Sequence, residues 1–242
     1  MVFRFYGELN DFLPESQRQR ATLCACARDA SLKHAIEALG VPHPEIALVL
    51  VDGEPVALSQ AACDGARVAV YPRFFGLKLA PAMVASPPLP EPRRFLADGH
   101  LFALGRKLRM LGFDTVLPRS LDDALLAACA ARERRILLTR DRELLKRAEV
   151  EFGRYVRAVR PQAQLRELVL AFDLATRARP FVRCMECNGD LRPVGAAAVR
   201  HRVPPGVAAR YTRFVRCVAC DRVYWQGSHY ARMRDGLDAV LG

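Results

Sequence analysis

Lysine is almost missing from this chain, with four residues in 242 against 33 arginines. Its positive charge is therefore carried by planar guanidinium forks, which bind phosphate bidentately and stack on bases, rather than by point-like ammonium groups. Also missing is any apolar run long enough to cross a bilayer, and Met1 leads straight into VFRFYG without a secretory signal pattern. These absences argue against a helical membrane protein and make the cytoplasm the expected compartment. No disulfide framework is expected either. Of eight cysteines, Cys24, Cys26, Cys63 and Cys129 lie in apolar stretches and read as small buried hydrophobes. Acidic residues run short in one part only: residues 1–92 carry 8 Lys+Arg against 10 Asp+Glu, whereas residues 93–242 carry 29 against 16. That surplus exceeds what a four-thiolate metal centre would cancel, and it points to a polyanion partner, RNA or DNA, for the second part alone. With 51% apolar residues the chain has ample material for packed cores.

Five prolines in PAMVASPPLPEPR, residues 81–93, mark an extended, solvent-exposed linker. Ahead of it, VFRFYGEL and TLCACA are expected to be strands, and Ser31 to cap a helix that runs to Leu39 and stops at Gly40 and Pro42. IALVLVDGEPVAL reads as a hairpin about Asp52-Gly53, and DGARVAVYP as a closing strand. This β-β-α-β-β order resembles the β-grasp of ubiquitin-like proteins, and VDGEPV with DGARVAVYP looks like the small sulfur-carrier branch. Those carriers end in a free Gly-Gly tail. Here Tyr71-Pro72 runs on into Arg73-Phe74-Phe75-Gly76, so the chemical handle is missing. Residues 1–80 are expected to form a ubiquitin-like domain that docks a protein partner, places RNA or serves as a stabilising appendage.

Behind the linker, strand and helix patterns alternate. Arg94 to Asp98 is a short apolar strand ending in a carboxylate, and the next helix aligns Leu101, Leu104, Leu108 and Leu111 on one stripe before Gly112. Phe113–Val116 is a second strand, Ser120 to Ala131 a helix, Arg135–Thr139 a third strand, Arg140 to Leu145 a turn into a helix, Arg154–Arg157 a fourth strand and Gln162–Phe172 a helix. Such alternation predicts an α/β domain with a parallel sheet, whose strand carboxyl ends meet in one crevice. Asp98 and Asp141 occupy that position, and Asp122 and Asp123 open a helix that could reach it. Carboxylates gathered around Mg²⁺ or Mn²⁺ neutralise an anionic phosphoryl transition state and supply hydroxide near neutral pH. Arg106, Arg109, Arg140 and Arg142 would hold the phosphates. Taken singly, each aspartate reads more readily as a helix cap than as a ligand, with Ser120-x-x-Asp123 approximating a capping box, and it is their joint placement that favours a metal site.

Two CxxC knuckles follow, Cys184/Cys187 and Cys217/Cys220, with 29 residues between them. Four thiolates at this spacing predict a closed, structural tetrahedral zinc site, with His201 and His229 as surface residues. Tyr211, Phe214, Tyr224, Trp225 and Tyr230, interleaved with arginines, suit stacking on single-stranded bases; packing as core is the other reading, above all for Trp225.

FLADGHLFALGRKLRMLGFDT with SLDDALLAACAARERRILLTRDRELLKRA resembles the Mut7-C ribonuclease domain, a branch of the PIN-like nucleases. RVPPGVAARYTRFVRCVACDRVYWQGSHYARM is similar to the zinc ribbon closing that domain, and the N-terminal part looks like the ubiquitin-like module fused to Mut7-C domains in bacteria. The resemblance implies metal-dependent RNA cleavage by Asp98, Asp122, Asp123 and Asp141. PIN-like nucleases commonly carry a fourth acid late in the fold; after Arg160 the candidates are Glu167 and Asp173, with Asp114 as a substitute. The expected layout is a β-grasp domain at 1–80, a linker at 81–93, a PIN-like domain at 94–180 and a zinc ribbon at 181–235. A catalytically silent RNA-binding adaptor is the alternative function.

Overall fold

The computed structural model describes residues 1–25, 30–73, 80, 83–118 and 120–242. Cys26, the Phe74-Phe75-Gly76 run and the first two residues of the proline-rich stretch lie outside them. Along the chain come β1 (Val2–Phe5), β2 (Thr22–Leu23), α1 (Leu32–Ala38), β3 (Ile46–Val51), β4 (Glu54–Pro55) and β5 (Arg67–Pro72). There follow β6 (Phe95–Ala97), α2 (Phe102–Met110), β7 (Thr115–Val116), α3 (Asp123–Arg132), β8 (Ile136–Thr139), α4 (Arg142–Lys146), β9 (Gly153–Tyr155) and α5 (Pro161–Phe172). The last elements are β10 (Leu191–Val194), α6 (Ala196–Val199), α7 (Pro205–Arg210), β11 (Phe214–Cys217), β12 (Val223–Trp225) and α8 (Ser228–Leu241). They form two compact units, Met1–Pro92 with Ser120–Tyr155, and Arg93–Arg119 with Val156–Gly242. Among the described residues no helix is long and apolar enough to cross a membrane.

In the first unit a five-stranded mixed sheet runs β2-β1-β5-β3-β4, with β1 and β5 parallel at its centre. Alternation in β1 sends Phe3 and Phe5 inward and Arg4 outward, and Leu32 and Ile36 of α1 join them in a core with Ile46, Val49, Val68 and Val70. Ser31 caps α1 by accepting from the His34 amide at 3.2 Å, as predicted. The β3–β4 hairpin turns on Asp52 and Gly53, both at positive φ (49° and 95°), the conformation that an Asp-Gly turn favours. Ahead of residue 93, two sequence expectations change. The first strand stops at Phe5, because Gly7 at φ 53° diverts the chain into a 3₁₀ turn over Gly7–Phe12 that Asn10 holds by donating to Phe5 O and Gly7 O. The proline-rich stretch is not simply exposed: Ser86 is buried and donates to Ile46 O at 2.6 Å, beside an Ala85 N–H to Ala47 O bond of 2.8 Å.

The same unit holds the parallel pair β8–β9, with α3 and α4. The cap of α3 is Asp122, which accepts from the Leu125 amide, rather than Ser120. The last strand lies at Gly153–Tyr155, slightly ahead of the predicted Arg154–Arg157.

The second unit holds the parallel pair β6–β7. The stripe of Leu101, Leu104, Leu108 and Leu111 is buried as predicted, and Gly112 ends α2 at φ 93°. Phe95 packs its ring on Phe113 and Phe172, each 5.8 Å away. A three-stranded antiparallel sheet, β10-β11-β12, is seated on a small core of Val199, Val203 and Phe214, against which Trp225 packs.

Candidate functional site

The sulfur atoms of Cys184, Cys187, Cys217 and Cys220 all lie within 4.8 Å of one another. Two matching backbone turns bring them together, Asn188 N–H to Cys184 O and Asp221 N–H to Cys217 O, with Asn188 and Asp221 at φ 70° and 62°. Gly189 is required by crowding: a Cβ there would sit 2.8 Å from Ala219 Cβ and 3.0 Å from Cys217 Sγ. Tyr224 Oη lies 3.0 Å from Cys184 Sγ. Burial opposes ionisation of Cys184, but donation from Tyr224 and from the amides of Cys187 and Glu186 outweighs it and brings the thiol down to about 7. Cys187 is pushed up to about 12, by burial first and then by the neighbouring thiols. Four sulfurs at such separations suit one soft or borderline divalent ion and leave no open position. His201 and His229 are exposed and stand outside the group.

The first knuckle is held by residues that sequence reasoning assigned elsewhere. Arg109 is buried, 5% exposed, and donates to Thr115 O (2.8 Å), Met185 O (3.0 Å) and Glu186 O (2.8 Å). Arg106 pairs with the Glu186 carboxylate. Asn188 accepts from the Thr115 amide at 3.0 Å and donates to Asp114 at 2.7 Å. Arg109 thus ties α2 to the cysteine knuckle, and Asp114 is engaged by Asn188. The asparagine just after a CxxC, where the chain must turn left-handed, was the signal available in the sequence.

The aspartates divide between the units. Asp98 follows β6 directly and is half-buried in the second unit; its side chain makes no cap bond to the turn that it precedes. Asp122, Asp123 and Asp141 belong to the first unit and are exposed. Asp141 caps α4 by accepting from Glu143 N (2.8 Å) and Leu144 N (3.3 Å). Both caps use Oδ1, so each carboxylate keeps a second oxygen outside its cap bond. Among the described residues these three acids do not form a metal-binding group of the kind that the cysteines make. Further along, Glu167 accepts from the amides of Arg157 and Ala158, and Asp173 ends α5 in the left-handed conformation while binding Thr176 and Arg177.

Of the remaining arginines, Arg140 is exposed. Arg142, expected on phosphate, instead donates to Phe12 O (3.0 Å) and Asp11 O (3.2 Å) and lies over the rings of Phe12 and Tyr155, 5.2 and 5.6 Å from their centroids. Beside it the Arg154 guanidinium, 7% exposed, binds Glu8 and the fully buried Glu45, whose carboxylate also accepts from the Tyr155 amide. The β-grasp is thus joined to the β8–α4–β9 segment by charge-assisted contacts that include the residue next to Asp141.

The family model for the Mut7-C RNAse domain matches residues 93–237, and that for Mut7-C ubiquitin matches residues 1–78. No curated protein matches the chain. Among solved structures, SAMP1 from Haloferax volcanii is similar at 23% identity, over 31% of this chain and 97% of that one, with a TM-score of 0.25. With a parallel α/β region, a β-grasp ahead of it and a four-cysteine cluster behind, and with the nuclease model spanning more than half of its length, the chain belongs to the Mut7-C RNAse domain family.

Proposed function

We propose that this protein is a ribonuclease that hydrolyses RNA phosphodiester bonds with Mg²⁺ or Mn²⁺. The observation that carries the reading is the Mut7-C RNAse match across residues 93–237. Asp98, Asp141 and one or both of Asp122 and Asp123 would hold the ion. Hard oxygen donors suit that role, and the oxygens that the caps of Asp122 and Asp141 leave over fit it. When bound, the ion would lower the pKa of water and neutralise charge on the phosphoryl group. Arg140, exposed beside Asp141, would be one phosphate-binding arginine, and Arg109 and Arg142 are spent on the fold. The cysteine cluster would hold zinc structurally, cross-linking the two knuckles. The four-part division at residues 80, 93 and 180, and a cytoplasmic location that keeps these thiols reduced, belong to the same proposal.

The test is cleavage of labelled single-stranded RNA by the full chain with Mn²⁺ or Mg²⁺, beside Asp98→Asn and Asp141→Asn variants. Cleavage that needs both the added metal and the carboxylates is expected. A second reading, a silent RNA-binding adaptor, draws on one observation: Asp114, Glu167 and Asp173, the candidates for a fourth acid, are all engaged within the fold. Tight binding without turnover in either metal would establish it instead.

A further inference from the structure

Two clefts of about 780 and 520 Å³ open side by side on the cysteine module. Neither the thiolates nor the aspartates account for them. They share Met185, Tyr224, Trp225, Tyr230 and Met233 as lining. Trp225 is only partly buried: it packs on the small core of Val199, Val203 and Phe214 and also borders both clefts. Tyr230 stands beside Phe181, with ring centroids 4.5 Å apart, so the smaller cleft has an aromatic wall.

The rims are basic. Arg106, Arg210 and Arg222 edge the larger cleft, and Arg183 and Arg213 the smaller. Among the described residues Glu186 is the one acid lining either cleft; it is paired with Arg106 and lies 4.0 Å from Arg222. Arg213 is exposed and makes no hydrogen bond or ion pair among the described residues, and Arg210 contacts the ring of Tyr211, 5.8 Å away. Aromatic and thioether walls with free guanidinium groups at the rim match a ligand that alternates flat apolar faces with negative charge. Unpaired nucleotides have that character: bases stack on aromatic side chains, and phosphates take the arginines. A duplex does not fit, because its bases are paired and stacked and its deep groove admits no side chains.

We propose that these adjoining clefts bind consecutive unpaired nucleotides of an RNA strand, with Trp225 and Tyr230 as stacking platforms and Arg210 and Arg213 on the phosphates. The inference rests on the reading that RNA is the ligand, but not on cleavage. Trp225 is the single tryptophan of the chain, so its emission reports on the clefts directly. The experiment titrates a single-stranded oligoribonucleotide, and a blunt duplex of the same sequence, into the full chain without added Mg²⁺ or Mn²⁺. Saturable quenching by the single strand, with at least tenfold weaker response to the duplex, is expected. Tyr230→Ala should weaken binding by about five- to a hundredfold. Arg213→Ala, at an exposed position that cannot disturb the core, should weaken it severalfold and flatten the salt dependence.

RNA that is bound and cut while Trp225 emission stays unchanged would overturn the inference and leave the nuclease reading standing. Quenching with no cleavage in any metal would uphold the clefts and overturn the nuclease. Equal quenching by duplex, indifference to both substitutions, or no binding of RNA at all would each overturn the inference.

Discussion

A carboxylate at a helix start can serve two masters, and Asp141 shows how to separate them. Its Oδ1 accepts from the Glu143 and Leu144 amides, a bond that an asparagine oxygen makes equally well. Asp141→Asn should therefore leave stability within about 0.5 kcal/mol and abolish metal-dependent cleavage. Asp141→Ala should lose cleavage and also about 0.5–2 kcal/mol of stability in urea unfolding. If the asparagine variant cuts RNA at the native rate, Asp141 is a cap and nothing more. Glu133 gives a residue-scale prediction with a pH sign. Its bond from Arg135 Nε (2.7 Å) holds the carboxyl below the usual carboxylate range, against the opposing effect of burial. A depressed native pKa stabilises the fold above the unfolded value, near 4.3, and that contribution fades as pH falls through the lower native value. Between pH 5 and 3 the urea midpoint of the native chain should drop more steeply than that of Glu133→Gln.

At the scale of elements, what was legible in the sequence was local. The leucine stripe of α2, the apolar run of β8, the Asp-Gly hairpin and the Ser31 cap each follow from spacing within a turn or two, and each formed where its pattern lay. The two CxxC knuckles were legible for the same reason, because each brings its own turn. What escaped was set by long-range partners. Arg109 and Arg142 looked like phosphate ligands, but among their acceptors are carbonyls 77 and 130 residues away in the chain. The cap of α3 fell on Asp122 instead of Ser120, a choice between two competent capping residues that local pattern does not decide. The proline-rich stretch has the composition of a linker, and only the carbonyls of Ile46 and Ala47 reveal that it is used. Gly112 offers the test at this scale. It sits at φ 93°, and a Cβ there would fall 2.2 Å from Arg179 O. Gly112→Ala should destabilise by more than about 1 kcal/mol, read as a lowered Tm, since it adds a backbone clash to the left-handed strain.

At the scale of the molecule, charge and covalent order tell different stories. Basic residues gather behind residue 92, yet Glu8 and Glu45 of the acidic front part meet Arg154 from behind it. Removing the cation from so buried a cluster is costly, and Arg154→Ala should lose about 3–5 kcal/mol in chemical denaturation. A loss under 1 kcal/mol would mean that the β-grasp contributes little through this contact. Arg154 also has a consequence for heredity. A ubiquitin-like cassette moved onto another chain would carry Glu8, Glu45 and Phe12 shaped for an arginine pair that the new host lacks. Such a cassette is not freely portable: when it travels, Arg142, Arg154 and Tyr155 must travel with it, and across relatives that retain both parts these positions should change together or not at all.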